Sequence, residues 1–69
     1  MTQPEAVLDF LKWYGSITQA QAFWELGVSR LAAIIKVLKK RGVEIDAEWE
    51  YGFDRHGNAT RWKKYWIAS

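Results

Sequence analysis

The stretch that decides the fold is ITQAQAFWELGVSRLAAIIKVLKKRGVEI, residues 17–45, in which two helical patterns are joined by a tight turn. Thr18 is a favourable N-cap for the first pattern, and Gln21 occupies the capping-box position three residues later. Gly27 suits the residue that follows a helix, where a left-handed backbone conformation is common. These signals predict a short helix that ends in a turn.

The second pattern is longer, and it is basic at its end. Ser29 is a candidate N-cap and Gly42 marks the stop, so we predict a helix over residues 29–41. Cationic side chains in its last turn suit the negative end of the helix dipole. The apolar residues that recur at helical spacing, and should therefore face the core, are Leu31, Ile34, Ile35 and Leu38.

A third helix is predicted near the N-terminus, over residues 4–14. Pro4 suits the first helical position because the N–H that it lacks is not needed there. Gly15 marks the end of the pattern. The apolar side chains that share one face of this helix are Val7, Leu8, Phe10, Leu11 and Tyr14.

After Gly42 the pattern changes to a strict alternation. Residues 43–51 alternate apolar and acidic side chains, which predicts a half-buried strand with an acidic outer face. Residues 54–58 have turn chemistry, and residues 60–67 form a second strand, so a hairpin is expected. Either face of the second strand could be the buried one. One face holds Arg61, Lys63, Tyr65 and Ile67, and the other holds Thr60, Trp62, Lys64 and Trp66.

The order of these elements predicts an α+β fold. Three helices followed by a two-stranded antiparallel β-hairpin form a winged helix-turn-helix, in which the hairpin is the wing. The 69 residues are enough for one domain, which we assign to residues 1–69. There is no cysteine, so a disulfide cannot reinforce so small a core. The five tryptophans are expected to lie mostly in that core.

The charge agrees with a nucleic-acid partner. The net charge is +2 and the pI about 9.1, which is mildly basic. We expect helix 29–41 to enter the major groove of duplex DNA and hairpin 52–60 to reach an adjacent backbone or minor groove. The predicted DNA-binding residues are Thr18, Gln19, Ser29, Arg30, Ala33, Lys36, Lys40, Arg55, His56 and Arg61. Arg30 is the candidate for reading bases, and Lys36 and Lys40 suit phosphates.

Residues 16–67 resemble a family of small helix-turn-helix proteins common in phages and prophages. The shared positions are Ile17, Thr18, Gln21, Ala22, Leu26, Gly27, Val28, Arg30, Leu31, Ile35, Leu38, Arg41, Gly42 and Ile45, then Tyr65 and Ile67. The resemblance implies DNA binding by a transcriptional regulator or an excisionase-like factor. One departure is Phe23, four residues before Gly27, where a small residue is usual. A large ring there suggests a changed angle between the two helices.

Other interpretations remain open at this point. Arg30 could cover Glu25 or the turn instead of a base, and the basic helix face could be an ordinary solvated surface. The chain could also be a protein-interaction module, such as an inhibitor of a host protein, that uses the acidic strand or the face with Trp62 and Trp66. Base stacking by the tryptophans is less favoured because the hairpin has only two strands. A homodimer, or several copies on adjacent sites, is expected because one domain buries little area on DNA.

The sequence indicates neither an enzyme nor a cofactor site. No nucleophile–base pair or phosphate loop can be written from it, and His56 in a turn lacks the partners of a metal or catalytic site. The regular spacing of the carboxylates of Glu44, Asp46, Glu48 and Glu50 is too open for a metal site, and pairing with Arg61, Lys63 or Lys64 explains them. We expect no small-molecule ligand. We also expect no membrane segment and no secretory signal, and the cytoplasm is the expected location.

Overall fold

The computed structural model describes residues 2–68 and contains three helices followed by a hairpin, so the predicted α+β class is confirmed. The elements in chain order are α1 (Gln3–Tyr14), β1 (Ile17–Thr18), α2 (Gln19–Leu26), α3 (Leu31–Lys40), β2 (Ile45–Phe53) and β3 (Ala59–Ile67).

The predicted ends of the first two helices are confirmed, because local capping determines them. Gly15 and Gly27 follow α1 and α2 with φ angles of 87° and 68°, a left-handed conformation that glycine adopts without strain. At the start of α2, the hydroxyl of Thr18 accepts from the amide of Gln21, and the Gln21 side chain accepts from the amide of Thr18. The capping box read from the sequence is therefore present.

The start of α3 was predicted wrongly. Arg30, not Ser29, occupies the N-cap position, and no side chain of the cap accepts from the first turn of the helix. The helix accordingly begins at Leu31 and ends at Lys40, a shorter range than the predicted 29–41. An acceptor for the amide of Leu31 comes instead from Gln19, on the preceding helix.

The sheet has three strands, not two, because Ile17 and Thr18 join it. The strand order is β1-β3-β2 and both pairings are antiparallel, with Ile17 opposite Tyr65 in the first. The hairpin pairs Ile45 with Ile67 at its base and Phe53 with Ala59 at its tip. The added strand ties the start of the helix-turn-helix to the base of the wing.

The register also decides which face of β3 is buried. Tyr65 and Ile45 are buried, so the core side of the sheet is the side that holds Arg61, Lys63, Tyr65 and Ile67. The predicted half-buried strand is correct only at its start, because β2 is largely exposed beyond Ile45. The hairpin therefore projects from the body of the domain, and the molecule with its hairpin measures 38 × 23 × 20 Å.

The core is built mainly from aliphatic side chains. Its buried residues are Val7, Leu11, Ile17, Ala22, Val28, Leu31, Ile35, Leu38, Ile45 and Tyr65. Ala22 is the small residue buried in α2, while Phe23 is 52% exposed. The small residue of α2 that packs in the core is therefore Ala22, and the ring of Phe23 lies outside the buried core.

Candidate nucleic-acid interface

Helix α3 separates apolar and polar side chains cleanly. Leu31, Ile35 and Leu38 are buried on one side of the helix. The predicted DNA-binding residues of this region lie exposed at the turn or on the helix, and they are Ser29, Arg30, Ala33, Lys36 and Lys40. The two small residues Ala32 and Ala33 are both exposed in the first turn, so backbone and side chains there can approach a groove closely.

All the charged side chains of residues 26–43, the segment that contains α3, are positive. Residues 26–43 contain no acidic side chain, and they hold five of the ten Lys and Arg residues, namely Arg30, Lys36, Lys39, Lys40 and Arg41. No carboxylate in the described range 2–68 forms an ion pair with any of the five. The charge of this segment is therefore available to an anionic partner.

A side-chain bridge fixes the turn between α2 and α3. Gln19 Nε2 donates to the carbonyl oxygen of Val28 at 2.9 Å, and Gln19 Oε1 accepts from the amide of Leu31 at 2.9 Å. The backbone adds a bond from the amide of Val28 to the carbonyl of Ala22 at 3.0 Å. One amide group thus satisfies two backbone groups that the turn would otherwise leave unpaired.

Two of the predicted DNA contacts, Thr18 and Gln19, have structural roles in the protein itself. Both polar ends of Gln19 form hydrogen bonds within the protein, so its side chain supports the turn, while its second N–H stays unused by these bonds. The hydroxyl oxygen of Thr18 accepts from Gln21 as the cap of α2, and Thr18 is only partly exposed. No sequence signal pointed to the Gln19 bridge, because its partners lie nine and twelve residues away.

The tip of the hairpin is an ordered turn. One carboxylate oxygen of Asp54 accepts from the amide of His56 at 2.9 Å and from the amide of Asn58 at 3.0 Å. Gly57 takes a φ of 80°, which closes the turn. Arg55 and His56 are exposed at this tip, as predicted for residues 54–58.

Arg61 lies away from the tip, on the core side of the sheet. Its guanidinium sits 4.4 Å from the ring centre of Trp49, and the Lys63 ammonium sits 5.4 Å from the same centre. Further out on the same strand face, Tyr51 and Phe53 are 72% and 76% exposed. The hairpin therefore presents aromatic rings and cations on one face.

The opposite face of the hairpin is acidic, and Glu50 on it pairs with side chains of the same face. Glu50 accepts from the indole N–H of Trp62 at 2.8 Å and lies 3.6 Å from the Lys64 ammonium. The predicted pairing of the acidic strand with cations is thus confirmed at Glu50 and Lys64. The Trp62 ring lies over Gly52, where an added Cβ would come within 2.8 Å of it.

The expected burial of the tryptophans was wrong. None of them is in the buried core, and Trp13 and Trp24 are 78% and 81% exposed. The reason is size, since a small domain can enclose few large rings and this core is filled by aliphatic side chains. A cleft of about 340 Å³ between α1 and α2 is lined in part by Phe10, Trp13 and Leu26.

Within residues 2–68, no three His, Asp or Glu side chains lie close enough together to hold a metal ion. None of the helices described in that range has the length and apolar character needed to cross a membrane.

Comparison with known proteins agrees with the geometry. A family model described as a winged helix-turn-helix domain matches residues 2–69. No curated protein matches the chain. The match covers nearly the whole chain and includes the helices, the turn and the hairpin described above. The chain therefore belongs to the winged helix-turn-helix domain family.

Proposed function

We propose that this chain binds duplex DNA, with α3 in the major groove and the wing against an adjacent backbone. The observation that supports this function best is the acid-free segment 26–43, whose cations are exposed and unpaired in the described part of the chain. The opposite side of α3 is anchored by buried Leu31, Ile35 and Leu38, so the basic side is the one presented outward. A helix held in this way fits the major groove.

Roles follow from position on the helix. Arg30 stands at the start of α3, the end that contacts base edges in helix-turn-helix docking, so we assign it to a guanine. Lys36 and Lys40 lie about two and three turns further along and are assigned to phosphates. Arg55 and His56 at the hairpin tip reach the neighbouring backbone. Ser29 and Ala33 border the groove, and Arg61 adds charge to the wing.

The resemblance of residues 16–67 to phage and prophage proteins supports a finer proposal. We infer that the chain acts as a transcriptional regulator or an excisionase-like factor and works in the cytoplasm, where its DNA target lies. Because a single small domain buries a modest area on DNA, two or more copies on adjacent sites would supply the affinity that one lacks.

The test is a fluorescence anisotropy titration of a mixed-sequence duplex at several salt concentrations. Neutralising a phosphate releases counterions, so we expect affinity to fall steeply with salt. Replacing both Lys36 and Lys40 by Ala should weaken binding and lower the slope of log K against log salt by about 2. Lys36→Ala is also measured alone, and Lys12→Ala is its matched control, because Lys12 is exposed on α1 and its removal changes the net charge by the same amount.

Three results would argue against this function. The first is no binding at low salt, and the second is an unchanged salt slope in the double variant. The third is an equal loss of duplex affinity in Lys12→Ala and Lys36→Ala, which would mean that only the net charge determines binding. If a site-selection experiment yields a preferred sequence, Arg30→Ala should relax the preference at one base pair by about 1–3 kcal/mol.

A second candidate function is contact with a protein, and the exposed aromatics on the helices favour it. Trp13 and Trp24 are more exposed than any other tryptophan, and a cleft separates α1 from α2 beside Trp13. Large exposed rings are enriched in protein interfaces. Sedimentation of the chain with Trp13 and Trp24 replaced by Ala, compared with the unaltered chain, tests whether this surface mediates self-association.

A further inference from the structure

The wing has two faces of opposite chemistry. Trp49, Tyr51 and Phe53 occupy alternate positions of β2, so their side chains share one face of the hairpin. Arg61 and Lys63 lie on β3 directly opposite Tyr51 and Trp49, respectively.

The acidic residues of β2, which are Asp46, Glu48 and Glu50, all lie on the other face of the hairpin. The aromatic strip, defined here as Trp49, Tyr51 and Phe53, is therefore flanked by positive charge alone on its own face.

The strip is open to a partner. Trp49, Tyr51 and Phe53 are 46%, 72% and 76% exposed, respectively. The only ion pair within residues 2–68 joins Lys64 and Glu50 on the opposite face, so Arg61 and Lys63 keep their charge available to an anion. Exposed rings next to unpaired cations match the chemistry of a ligand that is both aromatic and anionic, as a nucleic-acid strand is.

The spacing of the strip selects between paired and unpaired bases. Alternate residues of a strand lie about 7 Å apart, whereas stacked bases along one strand of a duplex are about 3.4 Å apart. Bases in a duplex also have both faces covered by their neighbours. Successive rings of the strip can therefore stack only on bases that have been separated from one another, as in single-stranded nucleic acid.

We propose that the aromatic strip is a binding site for single-stranded nucleic acid, in which Tyr51 and Phe53 stack on unpaired bases and Arg61 and Lys63 contact phosphates. This site is distinct from α3 and does not depend on the duplex-binding function proposed above. The two-stranded hairpin is sufficient because the two stacking rings lie along one strand and need no wider sheet, while the Trp49 ring holds the Arg61 guanidinium in place.

The experiment measures anisotropy of a labelled twelve-nucleotide oligothymidylate and of a matched duplex with the full chain. Replacing both Tyr51 and Phe53 by Ala should weaken oligothymidylate binding at least about 25-fold, because each stacked ring contributes about fivefold or more. Duplex binding should change less than threefold. Both residues are largely exposed, so the fold should persist, and circular dichroism verifies this.

Three controls make the result specific. Replacing Trp13 and Trp24 by Ala removes two exposed rings from the helices and should leave oligothymidylate binding unchanged. Replacing Tyr51 and Phe53 by Leu keeps apolar side chains but removes the flat rings, so it should weaken binding nearly as much as Ala. An abasic strand of equal length keeps the phosphates and should bind the unaltered chain at least tenfold more weakly.

The proposal is overturned if the Tyr51 and Phe53 variant binds oligothymidylate as the Trp13 and Trp24 variant does, or if the abasic strand binds as tightly as oligothymidylate. An equal loss of duplex and oligothymidylate binding would also overturn it and would make the strip part of the duplex interface. Replacing Lys36 and Lys40 by Ala tests α3 in the same assays. Failure of that variant to affect the duplex would count against the function proposed for α3 and leave this site standing.

Discussion

Replacing Gln19 by Ala should destabilise the domain through the turn between α2 and α3. The change removes the donor to the carbonyl of Val28 and the acceptor for the amide of Leu31, each at 2.9 Å and partly buried. Each lost hydrogen bond costs about 1 kcal/mol, so the free energy of unfolding should fall by about 2 kcal/mol. A chain of this length has a total stability of about 3–10 kcal/mol, which makes the loss a large fraction.

The measurement is thermal and urea unfolding followed by circular dichroism. For a domain of this size, a loss of about 2 kcal/mol lowers Tm by about 10–15 °C. Gln21→Ala is the matched control, because it removes an exposed glutamine from the same helix together with a single hydrogen bond. We expect that variant to lose about half as much.

The reasoning would be refuted if Gln19→Ala lowered the stability no more than Gln21→Ala. A variant that kept its Tm but bound duplex DNA more weakly would instead show that Gln19 contacts DNA. Measuring both Tm and duplex affinity therefore distinguishes a residue that supports the turn from one that contacts DNA.

Two further predictions concern the cap of α2 and the core. Thr18→Ala should cost about 1 kcal/mol of unfolding free energy because the N-cap acceptor is lost, and Thr18→Ser should restore most of it in urea unfolding. An equal loss in both variants would contradict the cap. Burial raises the pKa of the Tyr65 hydroxyl, so the folded state favours its neutral form. Stability from this effect is complete below a pH of about 10 and is lost as the pH rises through the folded-state pKa. Tyr65→Phe should therefore lose less stability than the unaltered chain as the pH rises above about 10, and parallel pH profiles would contradict this.

The helix boundaries show how far local signals reach. Gly15, Gly27 and the capping box of Thr18 and Gln21 act within one turn of chain, and each predicted boundary is present. The start of α3 was wrong because its support comes from Gln19, twelve residues earlier than Leu31. Ser29 has the right chemistry for a cap, but the tertiary bridge supplies the acceptor and leaves Ser29 exposed.

In the candidate site too, local patterns predicted one part correctly and tertiary structure decided another. The exposed basic side of α3 follows from the periodicity of Leu31, Ile35 and Leu38, which assigns the remaining positions to solvent. The aromatic strip does not follow in the same way, because alternation alone predicted that Trp49 and Tyr51 would be buried. The core ends near Ile45 and Tyr65, so the same strand face that is buried at its base is exposed at its tip.

The sequence by itself determined the order of helices and strands, the class of fold and the basic character of α3, because caps, periodicity and charge act over a few residues. Tertiary structure alone decided the third strand, the buried face of β3, the role of Gln19 and the exposure of the tryptophans. Each of these depends on which distant segments meet. The core consists of ten buried residues, nine of them aliphatic, and a domain of this size has no room in it for the large tryptophan rings.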